Sequence, residues 1–241
     1  MGHLTDTRNR FEVKYLIAAR DVPRLEAELL PWLAPDGHAE PGRGYQVYSV
    51  YWDSPEWATF WEKVEGLKVR RKLRLRRYVG GADVWLEVKQ RIDRTQQKRR
   101  LRLPADVARA VLDPGTGDDD GVPFLDHPVV QEARILCRRA RLAPRMAILY
   151  RRRPYVGRWT PTVRVNFDTR IQYRARGIDL TEPFVTGKYV LDPDEAVMEI
   201  KYTGRVPLWL TKAIARFGLP VVRMSKYCSA VDREHFGRTL T

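Results

Sequence analysis

Residues 68–103 restrict the fold more than any other part of the chain, because their polarity repeats every second residue. In Leu73, Arg74, Leu75 and Arg76 apolar and basic side chains alternate. Val84, Leu86 and Val88 interleave with Trp85, Glu87 and Lys89, and Leu101 and Leu103 with Arg100 and Arg102. A period of two puts successive side chains on opposite faces of a strand. Gly80-Gly81 between the first two runs reads as a hairpin turn. The stretch holds 14 Lys or Arg against three acids, Asp83, Glu87 and Asp93, and so carries 11 of the chain's 14 net positive charges. Each strand therefore offers one apolar face and one row of cations. A flat sheet leaves that row in water; a sheet curled the other way makes a cationic bore.

The 241 residues suffice for one large domain, and no internal repeat, low-complexity tract or linker divides them. The excess of 44 Lys+Arg over 30 Asp+Glu calls for an anionic partner. Cys137 and Cys228 form no Cys-x-x-Cys and read as buried small residues. His3, His38, His127 and His235 lack metal-ligand spacing, and the acidic triplet at 118–120 lacks the spacing of a calcium loop, so these read as surface groups. No apolar leader is visible and no apolar run approaches the ~20 residues of a membrane span, which leaves a cytoplasmic location as the expectation. Further strands are predicted over 45–51 and around Glu12, Arg152, Arg164 and Glu199. Helices are predicted over 21–30, 56–64, 104–112, 128–141 and 206–217, with a short helix after Lys226.

Eight strands with a polar face, near 12, 47, 74, 87, 100, 152, 164 and 199, are the number at which an antiparallel sheet can close into a barrel. The expected architecture is α+β: a closed eight-stranded antiparallel barrel whose apolar exterior is covered by the helices at 21–30, 56–64, 128–141 and 206–217. That places Lys14, Arg74, Arg76, Lys89, Lys98, Arg100, Arg152, Arg164 and Lys201 in one cavity, where a polyanion or counter-ions must separate them. Glu12, Glu87 and Glu199 share those faces. Carboxylates gain little beside a nucleic-acid phosphate path, which disfavours nucleic acid, but they can hold Mg²⁺ or Mn²⁺ against phosphoryl oxygens. No Walker A motif or Gly-rich kinase loop is present. Three readings stay open: a phosphotransferase, a triphosphatase working in the same bore, or a non-catalytic module binding polyphosphate or RNA.

Six motifs in order carry a resemblance. Phe-Glu-Val-Lys-Tyr (11–15), Lys-Leu-Arg-Leu-Arg-Arg-Tyr (72–78), Leu-Glu-Val-Lys (86–89), Gln-Lys-Arg-Arg (97–100), Val-Met-Glu-Ile-Lys-Tyr (197–202) and Met-Ser-Lys-Tyr (224–227) resemble the polyphosphate polymerase domain of the vacuolar transporter chaperone (VTC) family, within the triphosphate tunnel metalloenzymes. The similarity spans 8–234 as one domain. It implies an eight-stranded tunnel that transfers the γ-phosphate of ATP to inorganic polyphosphate with Mn²⁺ or Mg²⁺. By position, Lys14, Arg74, Arg76, Lys89, Tyr150, Arg152, Ser225 and Lys226 would contact phosphates and Glu199 the metal. Arg74, Arg76, Lys89, Arg152 and Lys226 form the expected catalytic set. Lys98, Arg100, Arg164, Lys201 and Arg223 join the phosphate-binding set, with Glu12 and Glu87 as further candidate metal ligands. The superfamily's opening Glu-x-Glu-x-Lys is here Arg10-Phe11-Glu12-Val13-Lys14, a carboxylate exchanged for a cation. Arg223 stands where a lysine would be comfortable, which alters hydrogen-bond geometry. The membrane portion of eukaryotic relatives has no counterpart in these motifs, so passing product across a membrane would need a separate membrane protein.

Overall fold

The computed structural model describes residues 10–37, 43–93, 95–113, 115–117 and 121–237. His3, His38 and the acidic triplet at 118–120 lie outside them. Eight strands form one antiparallel path: β1 (Arg10–Ala18), β3 (Tyr45–Asp53), β4 (Val69–Tyr78), β5 (Asp83–Ile92), β6 (Thr95–Pro104), β7 (Ala143–Gly157), β8 (Arg164–Arg174) and β10 (Glu195–Thr203). The hydrogen-bonded order is β1-β10-β8-β7-β3-β4-β5-β6. Two short strands without the alternating signature attach to it: β2 (Leu33–Pro35) on β7 and β9 (Lys188–Tyr189) on β8. The Gly80-Gly81 turn is present, with Gly80 at φ +93° and the Gly81 amide donating to the Tyr78 carbonyl.

Strand number and antiparallel order match the expected barrel, but the ladder ends on β1 and β6, and no pairing joins these two among the described residues. Both end strands carry cations on the concave face, Lys14 on one and Lys98, Arg100 and Arg102 on the other. The sheet nonetheless curls. Lys89 on β5 lies near enough to Glu12 on β1 and Lys201 on β10 for their charges to interact, although at least four strands separate them along the ladder.

The apolar rows face outward, where helices cover them. α1 (Val22–Leu29) and α5 (Leu208–Arg216) pack on Ile17, Val165, Phe167, Met198 and Ile200. α3 (Ala105–Leu112) and α4 (Pro128–Ala140) pack on Leu73, Leu75, Val84, Leu86, Val88 and Leu103. Each fully buried Leu or Val contributes about 1.5–3 kcal/mol. Residues 56–64 depart from expectation. Their helix, α2 (Ala58–Val64), packs with α6 (Lys226–Val231) against Val47, Met146, Ile148, Tyr150 and Val197, on the same face as the cations. A register shift between β7 and β8, with Arg170 at φ +49°, reverses the alternation after Asp168 and turns Ile171 and Tyr173 to that face as well. One end of the concave face is therefore apolar and plugged, and the other is charged.

Candidate functional site

Strand register determines which side chains share the concave face. On the first wall, Lys14 pairs with Glu199, Glu12 with Lys201, Glu199 with Asn166, and Arg152 with Asp168. On the second, Arg76 pairs with Trp85, Arg74 with Glu87 and Tyr51, Lys72 with Lys89, and Lys89 with Lys98. Directly opposed residues in such ladders lie about 4.5–5.5 Å apart. Like charges at that spacing persist only with carboxylates among them or anions between them.

The second wall is organised on Glu87, which is 2% exposed. Its Oε2 accepts from Arg74 Nε at 2.6 Å, and its Oε1 is paired with Lys98. Burial alone would raise its pKa, but Arg74, Arg76 and Lys98 outweigh burial and hold it well below the usual carboxylate range. Arg74 also donates from Nη1 to the Tyr51 hydroxyl at 2.8 Å, and its guanidinium lies over that ring. Burial and the cations around it push Lys98 down to about 8, against the pull of Glu87. Lys89 is held well below its ordinary value by Arg74 first and burial second. Arg76 Nε is buried with no acceptor among the described residues.

The first wall carries three carboxylates in sequence, Glu12, Glu199 and Asp168. Asp168, fully buried, takes a bidentate pair from Arg152 Nε and Nη2 at 2.7 Å each and a contact from Lys226 Nζ at 2.6 Å. Glu199 is paired with Lys201 and lies 3.6 Å from Arg152 Nη2. Glu12 lies 3.1 Å from Lys14 and 3.7 Å from Lys201. Burial opposes ionisation of Glu199, but Lys201, Arg152, Lys14 and Lys226 prevail, and its pKa falls well below the usual range. Glu12 and Glu199 repel one another and share Lys201. Tyr150 forms the wall between the groups, with Arg152 and Lys226 over its ring at 5.3 and 4.9 Å.

α6 delivers Lys226 to this place. Ser225 is its N-cap, accepting from the Cys228 amide at 3.4 Å while Lys72 Nζ lies 3.5 Å away, so the Ser225 hydroxyl already serves the helix start. Asp53, at the end of β3, accepts from the amides of Ser54, Thr59 and Phe60 and from the Tyr227 hydroxyl. One carboxylate thus starts α2 and clasps α6 to it. Gly44 is the other local requirement: at φ +64° it passes so near β7 that a Cβ would stand 2.1 Å from the Arg152 carbonyl oxygen.

The structure brings Glu12, Lys14, Arg74, Arg76, Glu87, Lys89, Lys98, Tyr150, Arg152, Glu199, Lys201 and Lys226 onto one face. Arg100 and Arg164 are at its exposed margin, Arg100 over the Trp85 ring and Arg164 3.7 Å from Asp36. Arg223 is exposed on the segment leading into α6 and shares no described ion pair with the group. Sequence reading alone does not single out Asp168, Tyr51 or Asp53 as site residues. Asp168 has a visible signal, since it alternates with Val165 and Phe167 on the Arg164 row.

For a divalent cation, Glu12 and Glu199 are the fitting pair. Mg²⁺ is commonly held by one or two carboxylates with substrate phosphates completing its shell. No cluster of three His, Cys, Asp or Glu suited to a metal occurs among the described residues, so such an ion would depend on the phosphates. Glu87, with each oxygen on a cation, fits a counter-ion role.

The VTC domain family model matches residues 9–235. No curated protein matches the chain. Among solved structures, a candidate adenylate cyclase from Bacillus halodurans is 15% identical, with 90% of this chain and 95% of that one covered and a TM-score of 0.48. A candidate adenylyl cyclase from Hippeastrum with a dominant triphosphatase activity is 14% identical over 92% of this chain and 94% of its own, with a TM-score of 0.48. A third, from Vibrio parahaemolyticus, is 10% identical over 95% and 99%, with a TM-score of 0.47.

Proposed function

The chain belongs to the VTC domain family, and from that premise we propose that it is a metal-dependent polyphosphate polymerase, working in a tunnel enclosed by its eight strands. The terminal oxygen of a polyphosphate chain attacks the γ-phosphorus of ATP in line. A new P–O–P bond forms, the bond to the β-phosphate oxygen breaks, and ADP leaves with that electron pair. Phosphoryl transfer asks mainly for positioning and neutralisation of charge.

The observation that carries this reading is the surplus of cations on the shared face. Glu87 and Asp168 are saturated by Arg74, Lys98, Arg152 and Lys226, yet Arg76 keeps a buried Nε without an acceptor among the described residues. A chain of phosphates supplies acceptors all along such a row. In this reading Arg74, Arg76 and Arg152 hold the equatorial oxygens of the transferred group, Lys89 and Lys226 flank it, and Lys14, Lys98 and Lys201 line the path of the chain. Arg100, Arg164 and Arg223 meet the polyanion further out, while Tyr150 keeps Arg152 and Lys226 aimed. Mn²⁺ or Mg²⁺ on Glu199 and Glu12 would supply further neutralisation of phosphate oxygens.

The ligands are ATP and inorganic polyphosphate rather than nucleic acid. No helix among the described residues is long and apolar enough to cross a membrane; delivery of product across one falls to a separate membrane protein. The test is incubation with ATP and Mn²⁺ or Mg²⁺. A gel-resolved ladder that a polyphosphatase erases supports the polymerase. Orthophosphate as the sole product makes the protein a triphosphatase, and metal-independent binding without turnover makes it a polyanion-binding module.

A further inference from the structure

The charged row changes character toward the end of the concave face opposite the α2–α6 plug. There the inward positions on three adjacent strands are aromatic: Tyr45 on β3, Tyr78 on β4 and Trp85 on β5. Tyr45 and Tyr78 meet edge to face with ring centres 5.1 Å apart and back onto the apolar cluster of Val47 and Tyr150, and Tyr45 pairs across the ladder with Arg152. Trp85 is the unusual member. It is half-buried yet belongs to none of the three apolar clusters, and its cross-strand partners are Arg76 and Arg102. The Arg100 guanidinium lies 4.6 Å from its ring centre. A tryptophan placed for packing alone would face outward with Leu86 and Val88, where helices wait for it.

We propose that Trp85, with Tyr78 and Tyr45 beside it, is a stacking lip for the base of a nucleoside triphosphate. The assignment rests on the polymerase reading and adds the part of the donor that the cations do not address. Trp85 precedes Glu87 by two residues, about 6.8 Å along the strand, and Glu87 is the counter-ion of Arg74. A triphosphate held on Arg74 and Arg76, with its ribose toward the open end, brings its base to Trp85, the cross-strand partner of Arg76. Arg100 engages the ring at one place, and an aromatic ring has two faces. Stacking on a π-face is sequence-tolerant, so adenine and guanine serve alike.

The experiment compares affinities for ATP and inorganic tripolyphosphate by calorimetry, at one ionic strength and without turnover. Trp85→Ala should weaken ATP about tenfold while tripolyphosphate stays within about twofold, in keeping with losses from removing a base-stacking ring. Trp85→Phe should recover most of the ATP affinity. In the unmodified protein, GTP should match ATP, and ribose 5-triphosphate should behave as tripolyphosphate does. Equal losses for ATP and tripolyphosphate in Trp85→Ala would reduce Trp85 to a support for Arg100 and overturn the lip. Wild-type protein that binds tripolyphosphate as tightly as ATP also overturns it and leaves the channel reading standing, whereas failure to bind either removes both.

Discussion

Glu87 and Glu199 are both buried, both wrapped in cations and both depressed in pKa, yet they sit in different company. Glu87 is the one carboxylate that Arg74 and Lys98 share, with one oxygen on each, while Asp83 on the same row is taken up by Arg102 further along. Glu199 stands between two more carboxylates, Glu12 and Asp168, with which its charge interacts. A single acid among cations holds those cations in place. Three acids in a row can give some of their charge to another cation without leaving the wall unbalanced. The same residue type on the same face thus meets two electrostatic settings, and the distinction lies in the neighbours.

The largest expected effect separates the two directly. Glu199→Gln should lower turnover of ATP by about 10²–10³, the scale of losing one electrostatic group at a reacting centre, and abolish its response to metal concentration. Metal-free tripolyphosphate binding should survive, since a negative charge has been removed. Were Glu87→Gln the variant that lost metal response, the two assignments would have to be exchanged. Glu87→Gln should instead act on stability. Breaking a buried pair costs about 3 kcal/mol, which for a domain of this size means a Tm lower by roughly 6–12 °C by calorimetry. A change under about 2 °C would mean that Arg74 and Lys98 need no counter-ion.

A smaller perturbation tests the first wall without touching a charge. Gly44→Ala at positive φ should cost about 1–3 kcal/mol and push β7 outward at Arg152, lowering turnover more than tripolyphosphate affinity. Unchanged turnover would show that β7 absorbs the shift. The smallest effect is expected outside both walls, at Asp179. Burial works against its ionisation, but the amides of Thr181 and Glu182 and the Arg109 guanidinium lower its pKa from 3.8 to about 2. A depressed carboxylate stabilises the fold above its unfolded pKa and loses that contribution as pH falls through its folded one. Asp179→Asn should therefore flatten the stability curve between about pH 4 and pH 2 and leave its shape above pH 5 alone. An unaltered slope in acid would place that part of the titration elsewhere.

All eight strands of the main path are legible in the sequence because a period of two survives in any chain that keeps one face greasy and one charged. Arg74, Arg76, Lys89, Arg152 and Glu199 can be assigned to one face by parity alone. Parity does not say which side a helix packs against, and the expected place of α2 is wrong for that reason: Trp57, Phe60 and Trp61 look the same whether they meet a convex or a concave surface. It also fails at a bulge, where Arg170 reverses the order and brings Ile171 and Tyr173 inward. Trp85 falls on the charged row by its spacing, but an aromatic among strand residues carries no sign of its own. The contacts of Asp53 with Tyr227 join residues 174 positions apart, and neither flank announces the other.

That clasp has a thermal consequence. Because one carboxylate anchors the start of α2 and the helix that bears Lys226, the apolar end of the concave face and one of its buried cations belong to the same cooperative unit. Warming the protein should extinguish phosphate binding and the near-ultraviolet signal of the buried tyrosines along one curve, and loosening the clasp with Asp53→Asn should draw both losses to lower temperature together.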